Sequence, residues 1–228
     1  MSQSDNTTPH PSSVYDTGVR ATIPYYEAFS RESINLVKAL GVAPACWLDT
    51  GCGTGTLVQQ AWPLFPRTEF LLADPSAGML QEAGRKLAGL PRVRILDPAP
   101  TQELILDAPM AVDVVTAIQC HHYLAPEARA RATATCFNLL AAGGVYITFE
   151  NIRPASERGV VIGKVNWMNF QIAQGKTPEA AAEHLRRFRT EYFPITVSEH
   201  LALLRESDFS VVELFWYSYM QAGFYAIK

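Results

Sequence analysis

A glycine-rich stretch that follows an apolar segment constrains the fold of this chain more than any other feature. Residues 47–49 read as the end of a buried strand, and Gly51, Gly53 and Gly55 follow before a helical pattern begins. Glycine lacks a Cβ, so the backbone can turn tightly and let a ligand approach closely. The helix that follows offers unpaired N–H groups to such a ligand. Because the carboxylate of Asp49 would repel a phosphate, the loop predicts a nucleotide-like ligand that carries positive charge.

Strand and helix patterns alternate from residue 45 to residue 150. This alternation predicts a parallel sheet with helices on both faces. A further helix is predicted over 24–40, where Pro24 suits the first turn and apolar residues form a stripe. Residues 1–14 are polar and contain prolines, so we expect them to be flexible. The predicted strands are 45–49, 69–73, 92–96, 112–117 and 144–150, and the helices between them are 54–63, 76–88 and 126–141.

The C-terminal part predicts a different kind of strand pairing. Residues 211–219 and 222–228 are both rich in β-branched and aromatic side chains, and only two residues separate them. So short a connection cannot cross over between parallel strands, so we predict an antiparallel hairpin. A capping-box pattern at 196–199 predicts a helix over 198–206. The segment 151–194 is too long for a structureless loop and shows helical patterns near 160–174 and 178–188.

Several motifs in this order resemble those of class I S-adenosylmethionine-dependent methyltransferases. NAD-binding loops instead follow G-x-G-x-x-G, with the third glycine one residue later. The resemblance implies an α/β, three-layer Rossmann-like methyltransferase fold. It has a seven-stranded, mostly parallel sheet that ends in an antiparallel hairpin. It also implies one domain over 1–228, with 151–194 inserted as a helical substrate lid. The motifs are 49–55 (DTGCGTG), the strand and acid at 70–74, the helix start at 75–80, the strand at 113–119 and the turn into a strand at 139–147.

The predicted cofactor site lies at the carboxyl ends of the strands, where open α/β sheets bind their ligands. Asp49, Asp74 and Gln119 all fall at such ends. The resemblance implies that S-adenosylmethionine binds there, with S-adenosylhomocysteine as product. Asp49 then lies near the methionine ammonium and Asp74 near both ribose hydroxyls, although each acid is also suited to capping the backbone next to it. Further implied contacts are Gly51, Cys52, Gly53, Gly55, Pro75, Met79, Asp97, Ala117 and Tyr26.

Some of these implied contacts have an alternative. Met79 is equally suited to the core. For Asp97, a second alignment register places the family acid at Ala99 instead. The contact implied for Tyr26 rests on a weak resemblance of residues 23–26 to carboxy-S-adenosylmethionine synthases.

Candidate catalytic residues follow the fourth and fifth predicted strands. His121 or His122 could deprotonate an acceptor, since imidazole titrates near neutrality. Glu150 lies at the carboxyl end of the fifth predicted strand, at the same edge of the sheet, where a charged group suits substrate binding. The alternatives are a structural role for the histidines and a salt bridge that holds the lid for Glu150. A base is needed only if the acceptor must lose a proton, and no metal site is predicted.

Composition restricts the partners. A net charge of −3 gives no bulk attraction to nucleic acid. The chain shows neither a signal-peptide pattern nor an apolar run of about 18 residues, so we expect a cytoplasmic protein that does not span a membrane. A small-molecule methyl acceptor is favoured. The alternatives are a tRNA or protein methyltransferase, an enzyme that converts the cofactor itself, and a non-catalytic binding module. The oligomeric state stays open, with a dimer among the options.

Overall fold

Seven strands form a single sheet in the computed structural model, which describes residues 6–41, 43–106 and 111–228. The strands are β1 Cys46–Thr50, β2 Glu69–Ala73, β3 Val93–Ile95, β4 Val112–Ile118, β5 Leu140–Asn151, β6 Val211–Ser218 and β7 Gln221–Ile227. Their order across the sheet is β3-β2-β1-β4-β5-β7-β6. The first five strands are parallel, and β7 runs antiparallel between β5 and β6. The predicted fold class, with its terminal hairpin, is confirmed.

Helices cover the sheet and extend across its carboxyl edge. They are α1 Tyr15–Arg20, α2 Tyr26–Ala39, α3 Thr56–Ala61, α4 Ala77–Lys86, α5 Pro126–Leu139, α6 Glu157–Ala173, α7 Pro178–Arg186 and α8 Val197–Glu206. The helical character predicted for 151–194 is confirmed by α6 and α7. In the described ranges, every helix is too short or too polar to cross a membrane.

The central strands are apolar on both sides because helices cover both faces of the sheet. Every residue of β1 is buried, and the side chains of Trp47 and Leu48 face opposite cores. One core contains Trp47, Phe70 and Phe149, and the other contains Leu48, Val115 and Tyr146. This packing fixes β1, β2 and β4 side by side and brings their carboxyl ends to one edge.

Three predicted boundaries are corrected. The helix predicted to end at 141 ends at Leu139, and the strand predicted from 144 begins at Leu140, which pairs with Val112. The glycines that follow stay in the sheet because the Gly143 N–H donates to the carbonyl of Lys228 at 3.0 Å. The hairpin turn comes one residue early because Gln221 already pairs with β5 and β6.

The N-terminal segment differs most from its prediction. The helix predicted over 24–40 is Tyr26–Ala39, and Tyr25 before it is left-handed with φ 55°. Residues 6–14 contact the segment near α7: the Arg187 guanidinium donates to the carbonyl of Thr7 at 2.8 Å. The flexibility expected for this segment stays a prediction. Residues 1–5 of the predicted flexible segment lie outside the described residues. We call residues 6–23 the cap.

The cap contains a helix that the sequence analysis did not assign, α1. A signal for it was present, because Tyr15, Val19 and Ile23 repeat at intervals of four residues. All three are buried in the core. This spacing is the stripe of an amphipathic helix.

Candidate active site

The glycine loop between β1 and α3 takes a conformation that side chains would oppose. Gly51, Gly53 and Gly55 have φ values of 61°, 54° and 74°. A Cβ on Gly51 would lie 2.5 Å from the Cβ of Cys120, which is too close for two carbon atoms. The N–H of Cys52 donates to the carbonyl of Ala73 at 3.0 Å and ties the loop to β2. The sequence-predicted loop residues therefore form a close backbone surface at the sheet edge.

Asp74 connects this loop to the start of α4. One carboxylate oxygen accepts from the Gly53 N–H at 2.9 Å and the other accepts from the Ser76 N–H at 2.8 Å. Burial raises the pKa of Asp74, and these two donors oppose the shift. The helix cap itself is Ser76, whose hydroxyl accepts from the Met79 N–H. Each oxygen of Asp74 keeps a lone pair for a further donor.

Asp49 lies deeper, at the end of β1. Its carboxylate accepts from the Thr116 hydroxyl at 2.7 Å, and its side chain is otherwise enclosed. Burial, the largest cause, raises the pKa of Asp49 to about 7. The hydrogen bond from Thr116 opposes this shift, and the negative charge of Asp74 adds to it. A buried carboxylate with so little compensation favours a cationic partner.

The end of β4 contributes Ala117 and Gln119. The Ala117 carbonyl accepts from the Thr148 hydroxyl at 2.9 Å and retains a second lone pair. Gln119 has φ 57°, and its backbone N–H donates to the Phe149 carbonyl. In the described part of the chain its buried amide nitrogen has no hydrogen-bond partner. Gln119 therefore presents a donor to the adjoining cavity.

The other predicted cofactor residues are divided between surface and core. Pro75 and Asp97 are exposed, whereas Met79 is buried in the core. The loop after β3 reaches the site because the Ala99 N–H donates to the Asp74 carbonyl at 3.2 Å. Tyr26 lies behind a residue that the prediction missed, Tyr15.

Tyr15 brings the cap against the glycine loop. Its ring lies 4.0 Å from the position of a Cβ on Gly53. The rings of Tyr15 and Tyr26 meet edge to face with centroids 6.5 Å apart. Burial raises the pKa of Tyr26 to about 12, so its hydroxyl stays neutral. Tyr15 is the tyrosine in contact with the loop, and Tyr26 supports it.

A polar network around Lys86 and Asp16, which we call the Asp16 latch, joins the cap to the glycine loop. The Lys86 ammonium lies 2.6 Å from the Asp16 carboxylate and donates to the hydroxyls of Thr54 and Thr56 at 2.8 Å each. Thr54 in turn donates to Asp16 at 2.6 Å. The glycine loop, α4 and the cap are therefore joined by one polar network.

Glu150 is buried and holds the loop that follows β4. One oxygen accepts from the His121 N–H at 3.1 Å and the Thr148 hydroxyl at 2.9 Å. The other accepts from the His122 N–H at 2.9 Å and lies 2.6 Å from the His122 Nδ1. Burial alone would raise the pKa of Glu150, but the hydrogen bond and charge of His122 lower it to about 2.

The two histidines lie in different surroundings. The His121 imidazole is 3.0 Å from the Tyr146 hydroxyl and 3.1 Å from the Thr101 hydroxyl, and burial lowers its pKa to about 4. The His122 Nε2 is 3.1 Å from the Asn151 amide nitrogen. Neither histidine lines the cavity beneath the cap. A direct catalytic role for His121, His122 and Glu150 stays a prediction.

We expect Glu150→Gln to destabilise the chain by about 3 kcal/mol at pH 7, because it leaves buried donors and the His122 imidazole without a carboxylate. The exposed Glu206→Gln serves as the matched control and should leave the urea midpoint unchanged. The stabilisation by a carboxylate of lowered pKa is present above about pH 4.5 and is lost as the pH falls toward 2. The difference between wild type and Glu150→Gln should therefore shrink in urea titrations at pH 3. A constant difference would contradict this role.

A cavity of about 20 Å³ lies between the cap, the segment 151–194 and the carboxyl edge of the sheet. Residues 151–194, which we call the lid segment, contact the cap, because the Trp167 indole donates to the Thr22 carbonyl at 2.7 Å. The volume is that of about one water molecule. The side chains around it come in pairs from the sheet edge, the lid segment and the cap: Gln119 and Asn151, His184 and Tyr192, Tyr15 and Thr22.

Similarity to a known protein family agrees with this geometry. The family model described as a methyltransferase domain matches residues 48–146, which run from β1 to β5. Residues 48–146 of this chain therefore match a methyltransferase domain. The predicted family is thereby confirmed, and the glycine loop, Asp49 and Asp74 all lie within the matched region. No curated protein matches the chain.

Solved structures share the methyltransferase fold at low sequence identity. Human N-acetylserotonin methyltransferase, solved with S-adenosylmethionine, is 15% identical, with a TM-score of 0.61 over 95% of this chain and 53% of that chain. The methyltransferase SibL is 17% identical, with a TM-score of 0.63 over 97% and 60%. The CurJ carbon methyltransferase is 15% identical, with a TM-score of 0.65 over 95% and 59%. This chain thus spans between 53% and 60% of the length of these structures.

Proposed function

We propose that this chain transfers a methyl group from S-adenosylmethionine to a small molecule held beneath the cap. One observation carries the proposal: the buried carboxylates of Asp49 and Asp74 flank a glycine loop that lies so close to Cys120 that it leaves no room for a Cβ on Gly51. The donor set suits the cofactor, since carboxylates pair with an ammonium group and accept from ribose hydroxyls.

Named residues would hold each part of the cofactor. Asp74 accepts from the ribose hydroxyls, and Asp49 with the Ala117 carbonyl faces the methionine ammonium. The remaining proposed contacts are the loop residues Gly51, Cys52, Gly53 and Gly55, the adenine flank of Pro75, Met79 and Asp97, and the cavity side of Gln119 and Tyr26. When bound, the cofactor supplies an activated methyl group on a sulfonium sulfur.

The chain itself supplies enclosure and alignment. Cap and lid segment meet over the sheet edge, where they exclude water from the acceptor, and a fixed position lowers the entropic part of the barrier. Glu150 positions the loop of His121 and His122. Asn151 contacts His122 and lines the cavity, so the position of this loop affects the cavity wall. We assign these three predicted catalytic residues positioning roles.

A small acceptor agrees better with these observations than a macromolecule does. The cap lies against the glycine loop, where the ion pair of Asp16 and Lys86 holds it, and the net charge is −3. A tRNA or a protein segment would have to displace the whole cap. Human N-acetylserotonin methyltransferase is named for a small molecule, which agrees with this proposal. None of the four cysteines, all of which the structure describes, forms a disulfide. Such cysteines suit a reducing compartment, so we place the activity in the cytoplasm.

A labelling experiment tests the function. The chain is incubated with S-adenosylmethionine labelled in the methyl group and, separately, with a small-molecule metabolite extract, bulk tRNA or bulk protein. We expect label in the small-molecule fraction, and none with Asp74→Asn. Label in tRNA or protein alone would refute the acceptor class.

Cofactor affinity should depend on pH through Asp49. Since the pKa of Asp49 is about 7, most of the free chain at pH 6 carries a neutral carboxyl that cannot pair with an ammonium. We expect affinity for S-adenosylhomocysteine to rise roughly tenfold from pH 6 to pH 8, as the ionised fraction rises. Calorimetry at both pH values measures the change, and the isosteric Asp49→Asn should bind more weakly at pH 8 with a flat profile. A wild-type profile as flat as that of Asp49→Asn would contradict this role.

A further inference from the structure

The cap leaves almost no space between itself and the carboxyl edge of the sheet. The cavity there measures about 20 Å³, whereas sites for small molecules measure about 300 to 1,000 Å³. The Tyr15 ring lies 4.0 Å from the position of a Cβ on Gly53, so no ligand atom fits between the ring and this face of the glycine loop. A small molecule can therefore lie between the cap and the sheet edge only if the cap moves.

The cap is packed as one unit. The His10 Nε2 lies 2.9 Å from the Thr22 hydroxyl, which joins the two ends of the cap. The same hydroxyl donates to the Gly18 carbonyl at 2.7 Å. A Cβ on Gly18 would lie 2.5 Å from the His10 ring, so the ring packs directly against α1. Because these contacts lie within the cap, it can move without breaking them.

One end of the cap is fixed to the lid segment. The Thr22 carbonyl accepts from the indole of Trp167, whose side chain is fully buried. Pro24 and Tyr25 then connect the cap to α2, and Tyr25 has φ 55°, an uncommon conformation for a residue with a side chain. Residues at the ends of helices and in loops absorb the backbone rotation of hinged motions. Residues 22–25 therefore form a pivot.

The opposite end of the cap is held by polar contacts. The Asp16 carboxylate and the Lys86 ammonium are 2.6 Å apart, and their side chains are 42% and 17% exposed. The Arg187 guanidinium donates to the Thr7 carbonyl at an exposed position. Partly exposed ion pairs contribute little to stability, so these contacts can open transiently. Movement of the cap would also expose the buried Tyr15 ring, which favours its return.

The Asp16 latch is attached to the elements that we propose to hold the cofactor. Lys86 is the last residue of α4, which begins just after Asp74. Its ammonium also donates to the hydroxyls of Thr54 and Thr56, which lie at the end of the glycine loop and the start of α3. The position of the cap is therefore linked to the geometry of the cofactor site.

We propose that the cap is a gate that swings about residues 22–25, and that release of the Asp16 latch lets S-adenosylmethionine reach the glycine loop. This inference rests on the proposed function, because it assumes that the cofactor binds at this loop. Asp16 and Lys86 then determine how fast the cofactor enters and leaves, while the carboxylates of Asp49 and Asp74 determine how tightly it is held.

Asp16→Asn tests the latch, because asparagine keeps the shape of the side chain and removes its charge. Loss of a partly exposed ion pair should raise hydrogen exchange of the peptide 6–23 in the free chain, and the association rate of S-adenosylhomocysteine in stopped flow, about threefold each. Asp208→Asn, which removes an exposed acid outside the cap, should change neither rate. Unchanged exchange in Asp16→Asn, or faster exchange without faster association, would overturn the proposal.

A covalent lock supplies the converse test. In the described part of the chain, the pair of Asp16 and Lys86 is the only ion pair that joins a carboxylate to a lysine. A water-soluble carbodiimide can convert this pair to an amide, and the reagent takes up the released water to become a urea. Lys86→Arg is the matched control, because arginine keeps the positive charge but does not form the amide.

We expect the amide, verified by peptide mapping, to slow association of S-adenosylhomocysteine at least about tenfold, since a locked gate prevents entry. The same treatment should leave the rate of Lys86→Arg as it was before treatment. A coupled wild-type chain that binds as fast as the untreated chain would overturn the proposal. If no amide forms, the rates of Asp16→Asn decide. Failure of the untreated wild-type chain to bind S-adenosylhomocysteine would instead refute the proposed function.

Discussion

Replacement of Asp74 by asparagine is expected to weaken binding of S-adenosylhomocysteine about 100-fold, or ~2.7 kcal/mol, the range of charge-assisted hydrogen bonds. The carboxylate has two oxygens that already hold the N–H groups of Gly53 and Ser76 and that can also accept from both ribose hydroxyls. Asparagine supplies one oxygen, and its amide turns a second donor toward one of these N–H groups. Isothermal titration calorimetry measures the loss.

The matched control for Asp74→Asn is Asp208→Asn. Asp208 is an exposed acid with φ 65°, a conformation that asparagine also adopts. Its substitution should leave both cofactor affinity and thermal midpoint unchanged. If Asp74→Asn binds within threefold of wild type while Asp208→Asn behaves normally, the ribose assignment is wrong.

Replacement of Gly51 by alanine should abolish cofactor binding and destabilise the chain by about 3 kcal/mol. Left-handed backbone costs a non-glycine residue about 1 kcal/mol, and overpacking in a rigid site adds about 2 kcal/mol. The added Cβ would lie 2.5 Å from Cys120 Cβ and 2.6 Å from its sulfur, so the loop must move away from the cofactor position. Urea unfolding and calorimetry with S-adenosylhomocysteine measure the two effects.

Gly89→Ala separates strain from steric overlap. Gly89 has φ 78°, and a Cβ there would meet nothing within 4 Å. The substitution should therefore cost only the backbone term, about 1 kcal/mol, and leave binding intact. Equal losses of stability in the two variants, with binding retained in Gly51→Ala, would show that close approach at Gly51 is not needed.

The sheet and its cofactor edge could be predicted because their determinants are local. Mostly apolar runs such as 69–73 mark the strands. Asp49 is the last residue but one of β1, and Asp74 follows β2 directly. A two-residue connection between strands leaves only the hairpin pairing. The β5 boundary was missed because it depends on Lys228, which lies 85 or more residues away in sequence and accepts from Gly143.

The acceptor side could not be predicted in the same way. His184 and Tyr192 meet the cavity only because Trp167 joins the lid segment to Thr22 of the cap. Such contacts link residues that are distant in sequence, and no motif marks them. The catalytic role of Glu150, His121 and His122 stays a prediction, and hydrogen bonding turns the Glu150 carboxylate inward to the backbone of the loop that holds the two histidines.

Calorimetry of the full chain with S-adenosylhomocysteine and, separately, with NADH tests the central assignment most directly. Both ligands contain adenosine, so the comparison depends on the part that differs. With the Asp49 carboxylate beside the glycine loop, we predict one-to-one binding of S-adenosylhomocysteine at micromolar concentrations and no heat with NADH. Micromolar binding of NADH without binding of S-adenosylhomocysteine would contradict the account.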